Sequence, residues 1–232
     1  MKRIVIEDCK KCPQFQKSIF NSINNDQYSL LNHSRVMHTY EKGNLIFREG
    51  NRPCGAYCIV SGSVKLYYLS DDGTEQIIRI AHPGEMLGLA SLFSEEVYSH
   101  SAEALETTTV CFLEKNVLLP LVVRNPTAAL NSIRKLGLEL QEAQRRIYTL
   151  ATKSSDERLA DLLLEFSSRY SHNDEFELPL SRKELAEYIG TAPETVTRLL
   201  TYLQDKKIIQ ISGRKIKILN KPKLITLSGQ EM

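Results

Sequence analysis

The chain has no long apolar run. Nothing in its 232 residues is long enough to cross a bilayer. The N-terminus MKRIVIEDCKKC also lacks the apolar core of a secretory leader. Cysteine is sparse as well. Five thiols in a chain of this size, without a secretion signal, do not make a structural disulfide framework. A soluble cytoplasmic protein without a membrane partner is therefore expected. A charge excess of one sign is missing too. The net charge is only +2, so the overall balance does not announce a nucleic-acid partner. Histidine is rare and scattered, at 33, 38, 82, 100 and 172, with no HxH pair. A cupin-like metal-dependent enzyme needs clustered His and carboxylate ligands. Only His82 and His100 could meet in space, which leaves that alternative little support.

The length suits two modest domains, each able to bury a core. Residues 1–27 read as a polar, irregular arm carrying Cys9-Lys10-Lys11-Cys12 and a weakly apolar stretch from Phe15 to Ile23. A short helix is expected from about Asp26, with Tyr28, Leu30 and Leu31. Then the texture changes. Seven of the eleven glycines lie between Gly43 and Gly88 and separate short β-rich runs. These runs are Asn44–Arg48, Ala56–Val60, Val64–Leu69 and Gln76–Ala81, with Ser70-Asp71-Asp72-Gly73 as a hairpin turn. His100–Leu105 and Thr108–Leu113 fit further strands. Short strands at this regular spacing predict a β roll or sandwich over residues 28–120.

After Pro120 the texture turns helical, and a long helix is expected from near Pro126 to about Lys153. Ile133, Leu136, Leu140, Ala143, Ile147 and Leu150 recur at alternating spacings of three and four, with charged residues on the other faces. A seam this narrow suits pairing with a second helix better than docking on the chain's own β domain, which would need a broader stripe. Residues 121–153 thus read as a dimerisation helix, followed by a polar break at Lys153-Ser154-Ser155-Asp156. Glu157–Tyr170 is the next helix, with Leu159, Leu162, Leu163 and Phe166 inward.

The stretch LSRKELAEYIGTAPETVTRLLTYLQ carries the strongest signal. Ser181 and Glu184 form a capping box, Leu185 and Ile189 share a face, and Gly190 ends the helix. A second box is expected between Thr191 and Glu194, with Pro193 in the first turn. Val196, Leu199, Leu200 and Leu203 are its apolar stripe, leaving Glu194, Thr197 and Arg198 outward. An ordinary helical hairpin would share this pattern, but the sequel argues against one. Ile208–Ser212 and Ile216–Leu219 flank a basic turn, Gly213-Arg214-Lys215. From Arg198 to Lys223 there are eight Lys/Arg against one acid, Asp205. Helix-turn-helix plus basic hairpin is a winged helix, here spanning residues 154–232, and its charge suits a polyanion. The fold class is α+β.

With these elements in order, nearly the whole chain resembles the cAMP-receptor/FNR (Crp/Fnr) family of transcription regulators. The resemblance is carried by KGNLIFREG, SGSVKLYYLSDDGTEQ, HPGEMLG, AEALETTTVCFL and LSRKELAEYIGTAPETVTRLL. It implies a cyclic-nucleotide-binding-like β roll and a homodimer on palindromic double-stranded DNA. A signal at the roll or N-terminal arm would control it, with RNA polymerase as a partner. In the cAMP-binding branch, a Glu holds the ribose and an Arg–Ser pair holds the phosphate. The matching positions are Leu89 and His100-Ser101. Leucine accepts no hydrogen bond, and a neutral histidine replaces a bidentate guanidinium poorly, so cAMP is not expected.

In the FNR-like branch an iron–sulfur cluster sits on three N-terminal cysteines and a fourth in a segment like ALETTTVCFL. By that match Cys9, Cys12 and Cys111 take three of the four positions, and Ser18 stands in the remaining one. Cys9 and Cys12 could join a cluster with a non-cysteine fourth ligand, form a thiol redox pair, or have no role. Cys111 taken alone reads as a buried strand residue, and Cys54 and Cys58 as core or near-surface thiols. A haem or nitric-oxide sensor, the other option within the family, has no residue of its own here. The family's outward E-T-x-S-R pattern matches Glu194, Thr197 and Arg198, which implies base readout by these three. Ser181, Arg182, Thr195 and Arg214 are placed for phosphates.

Overall fold

A computed structural model describes residues 8–170 and 174–229. His172 lies outside them. The chain divides into two compact units, residues 1–141 and 142–232.

The first unit opens with two 3₁₀ turns, Cys9–Lys11 and Phe15–Lys17. Where the sequence reads as an irregular polar arm, the structure buries Cys9, Phe15, Ile19 and Phe20. The apolar residues hidden in that polar stretch anchor it. Helix α1 (Asn25–Ser34) follows, started by a capping box between Asn24 and Gln27. Leu31 is buried on it, whereas Leu30 is exposed. Then come β1 (Val36–Tyr40), β2 (Leu45–Phe47), β3 (Gly55–Ser61), β4 (Val64–Leu69), β5 (Glu75–Ala81) and β6 (Met86–Leu87). The short helix α2 (Leu89–Ser94), β7 (Ser101–Ala104) and β8 (Thr108–Glu114) complete the roll. Helices α3 (Lys115–Val123) and α4 (Pro126–Thr152) come next. Pro120 lies inside α3, whose Leu118, Leu121 and Val122 are buried.

Two four-stranded antiparallel sheets, ordered β1-β8-β3-β6 and β2-β7-β4-β5, form the roll. Ile46, Phe47, Ile59, Val64, Leu66, Ala102 and Val110 fill the space between them. The alternation of a strand then does something useful. On β3, Tyr57 and Ile59 pack with that inner cluster, while Ala56 and Cys58 pack with a second one. This second cluster joins the first sheet to the N-terminal segment, α1, α3 and the start of α4 through Phe15, Phe20, Leu31, Leu118, Leu121 and Ala128. Gly62 makes the tight β3–β4 turn at φ +86°. A Cβ there would stand 2.4 Å from the Thr108 hydroxyl, so no larger residue fits.

Along α4, Ile133, Leu140 and Ile147 are exposed by 65%, 60% and 69%. Ala143 and Leu150 are exposed as well, while Leu136 is half-buried against the second cluster. One row of the expected seam is therefore bare in the single chain, a conspicuous amount of apolar surface for one helix.

The second unit holds α5 (Ser155–Tyr170), β9 (Glu175–Glu177), α6 (Arg182–Ile189), α7 (Pro193–Asp205), β10 (Ile209–Ser212), β11 (Lys215–Ile218) and α8 (Lys221–Leu227). Leu159, Leu162, Leu163 and Phe166 of α5 are buried with Leu185, Ile189, Val196, Leu200 and Leu203. The wing has three antiparallel strands, β10-β11-β9, one more than the sequence shows. Its turn is also tighter than expected, because Lys215 already pairs with Ser212 across the hairpin.

Candidate nucleic-acid interface and thiol-lined cavity

Helix α6 starts as its sequence dictates. The Ser181 hydroxyl accepts from the Glu184 N–H at 3.2 Å, and the Glu184 carboxylate accepts from the Ser181 N–H at 2.7 Å. It ends at Gly190, φ +68°, a left-handed position that glycine takes without strain. The Arg158 guanidinium of α5 donates to the carbonyls of Ile189 at 2.6 Å and Gly190 at 3.2 Å. That clamp neutralises the open carbonyl end of α6 and fixes the turn.

The second capping box is not formed. The cap of α7 is Ala192, which makes no side-chain bond, and Thr191 lies one residue outside. Pro193 is the cause: it takes the first helical position and pushes the residue before it into an extended conformation, which moves the cap to 192. Glu194, Thr197 and Arg198 stand exposed on α7, and Thr195 is half-buried. Among the described residues, the Glu194 and Arg198 side chains make no hydrogen bond or ion pair. Thr197 differs, since its hydroxyl donates to the Pro193 carbonyl at 3.1 Å, leaving only its lone pairs and methyl for a ligand.

Of the residues expected at phosphates, Ser181 and Arg214 are exposed and Arg182 is half-buried. Burial pushes the Arg182 guanidinium below its ordinary value. The Arg214 guanidinium donates to the Pro179 carbonyl at 2.6 Å, so it both ties down the wing and projects charge from its tip.

In the first unit, Leu89 is buried in the second cluster, while the His100 ring lies 6.0 Å from Phe47 and 6.2 Å from Tyr68. The structure thus gives these two positions different surroundings. Burial, helped by the positive charge of Arg79, pushes His100 down to about 4. It is neutral at pH 7 and offers no cation to a phosphate. The buried Ser101 hydroxyl accepts from the Glu49 N–H at 3.1 Å. Arg79 is held by Glu85 and by Glu139 at 3.2 Å.

Beneath the N-terminal segment is a cavity of about 60 Å³. Cys9, Cys12, Cys58 and Cys111 line it together with Ser18 and Arg35. Burial pushes the Cys9 thiol up to about 11 and Cys58 up to about 12. It raises Cys111 as well, against the opposing charge of Arg35. Cys54 is exposed and apart from this wall. The sequence singled out Cys9, Cys12 and Cys111 but gave Cys58 no role at a site. The strand period places Cys58 on one face of β3, but its position opposite Cys111 follows only from the strand order and register of the folded sheet. Among the described residues, no three His, Cys, Asp or Glu side chains gather tightly enough to grip one metal ion.

A clamped turn, an exposed helix face with an unengaged Glu and Arg, and a basic three-stranded wing define a winged helix-turn-helix that binds DNA. The cyclic nucleotide-binding domain family matches residues 37–125, and the Crp-like helix-turn-helix domain family matches 157–227. The chain is 33% identical over 196 residues to the transcriptional activator protein FnrA of Stutzerimonas stutzeri, covering 83% of this chain and 80% of that one. It belongs to the Crp/Fnr family of DNA-binding transcription regulators, on the FNR-like side. An anaerobic regulatory protein of Aggregatibacter actinomycetemcomitans is 30% identical over 226 residues, 95% of this chain and 88% of that one. The solved structure of FixK2 from Bradyrhizobium japonicum superposes with a TM-score of 0.79 at 29% identity, over 85% of this chain and 99% of that chain. No helix among the described residues is long and apolar enough to cross a membrane.

Proposed function

We propose that two copies of this chain pair along α4 and present two α7 helices to a palindromic site, under control of the thiol-lined cavity. The observation that supports this reading best is the outer face of α7, where the Glu194 and Arg198 side chains lie one helical turn apart with no partner among the described residues. Arg198 suits the O6 and N7 of guanine bidentately, and Glu194 suits the amino group of cytosine. Thr197, its proton committed to its own helix, contributes an acceptor or a methyl contact. Ser181, Arg182, Thr195 and Arg214 hold phosphates and so fix register without reading sequence. The exposed Ile133, Leu140, Ala143, Ile147 and Leu150, with half-buried Leu136 beside them, form the pairing seam. The protein works in the cytoplasm, where its DNA and RNA polymerase are found.

The signal is assigned to Cys9, Cys12 and Cys111, as ligands of an iron–sulfur cluster. Support comes from their common cavity and from relatives that include one named for anaerobic regulation. Such a cluster, when bound, supplies oxygen-sensitive redox chemistry. Phe15, Leu31 and Met86 supply apolar lining to the site, and Arg35 sets a positive charge beside it. A thiol redox pair is the weaker reading, because Cys9 is buried and its thiol stays protonated, whereas the nucleophile in exchange is the thiolate. Leu89, His100 and Ser101 give no anchor for a cyclic phosphate, so cAMP is not the effector.

Binding titrations over a range of salt test the DNA reading. Arg198→Ala should cost about 1–3 kcal/mol and relax the preference at one base pair. Arg214→Ala should weaken all sequences alike and lower the salt slope by about one. Two variants that bind as the parent does would refute the assignment.

A further inference from the structure

Three of the four thiols of the cavity, Cys9, Cys12 and Cys111, match positions of the family pattern, and the fourth, Cys58, does not. Ser18 stands where that pattern has a cysteine, yet a fourth thiol is present. We infer that Cys58, on β3, is the fourth ligand of an iron–sulfur cluster held by Cys9, Cys12 and Cys111. The inference rests on the cluster reading above and adds the residue that completes it.

Strand register is the first argument. Cys58 on β3 is the direct partner of Cys111 on β8 in an antiparallel pair. Directly opposed residues point to the same face of a sheet, with Cβ atoms about 4.5–5.5 Å apart. Both therefore project from the outer face towards Cys9 and Cys12, and all four line one cavity. All four are free thiols, so none is tied up in a disulfide.

Ser18 is the rival and borders the same cavity. Its hydroxyl already accepts from the Phe20 N–H at 3.2 Å, a bond that helps shape the segment carrying Cys9 and Cys12. Thiolate is also the donor that iron–sulfur clusters select over harder oxygen ligands. Among the described residues no three of these thiol side chains gather tightly enough to grip one metal ion. A polynuclear cluster attaches each thiolate to a different iron, so its ligands stay apart around a shared core. Charge agrees as well: a cluster with four thiolates is anionic, Arg35 lines the cavity, and Lys135 is held nearby through its bond to the Gly84 carbonyl at 2.8 Å. On ligation each thiol releases its proton to solvent as its sulfur–iron bond forms, with no change in the oxidation state of sulfur.

The test uses the full chain, reconstituted anaerobically with ferrous and ferric iron and sulfide. Iron and acid-labile sulfide per chain, and visible absorption, are the readouts. The parent and Ser18→Ala are expected to take up iron and sulfide alike and turn brown. Cys58→Ala should retain iron about tenfold or more weakly against a chelator, while keeping its circular dichroism and its DNA binding in the metal-free form. Cys58→Ser, nearly isosteric, covers an alanine variant that does not fold and should show a shifted spectrum with weaker retention. Moving the thiol in Cys58→Ala/Ser18→Cys should restore uptake. Full retention by Cys58→Ala, an unchanged spectrum for Cys58→Ser, or loss of the cluster on Ser18→Ala would overturn the role of Cys58 and leave the cluster reading standing. A parent chain that takes up no iron overturns both.

Discussion

At the residue scale, His100 shows how burial alone changes what a site can bind. Held against Phe47 and Tyr68 and facing the charge of Arg79, it resists protonation down to about 4. The unfolded chain takes up that proton near 6.5, well before the folded one does. Stability attributable to His100 is therefore complete above about pH 6.5 and is lost as the pH falls towards 4. The loss amounts to on the order of 3 kcal/mol. Urea unfolding of the parent between pH 7 and 4 should show this fall, and His100→Gln should flatten it. If the variant keeps the parent's slope, the proton is taken up elsewhere. The same residue is a neutral ring at pH 7 and so offers no cation to a bound anion.

The elements were legible where local chemistry decides them. Val64–Leu69 is a β-rich run that ends in an Asp-rich turn, and it forms β4 with those bounds. Helix α6 begins and ends where Ser181 and Gly190 place it. Gly190→Ala puts a Cβ into a left-handed residue, 3.3 Å from the Leu150 side chain. It should cost about 1–2 kcal/mol in chemical denaturation and loosen DNA binding through the turn. An alanine variant as stable as the parent would mean that the clamp from Arg158 does not depend on this geometry. What the sequence hid was non-local or contradictory. Pro193 displaced the cap that Thr191 and Glu194 advertise, and α3 runs through Pro120 because Leu118, Leu121 and Val122 gain more by burial than the missing N–H costs. Cys58 was invisible for another reason. A CxxC motif is read from adjacent letters, but the pairing of Cys58 with Cys111 follows from β8 lying between β1 and β3, a matter of topology. The helical period of α4 was legible, and its exposed apolar row makes a prediction of its own. Leu140→Lys with Ile147→Lys should convert a dimer into a folded monomer in sedimentation equilibrium, and a double variant that still pairs would show that the interface lies elsewhere.

At the scale of the whole molecule, each unit has one open chemical capacity: a set of thiols in the first, an unengaged Glu and Arg in the second. Helix α4 contributes residues to both units. A homodimer would place its two recognition helices about 34 Å apart, one turn of the duplex. Specificity then comes from symmetry as well as from side chains. The most direct measurement is selection of bound duplexes from a randomised pool, done with the reconstituted parent and with Arg198→Ala. The parent is expected to select an inverted repeat with a G·C pair in each half-site, and the variant to lose preference at that pair. A parent that selects no sequence, or a variant that selects the same one, would contradict this reading.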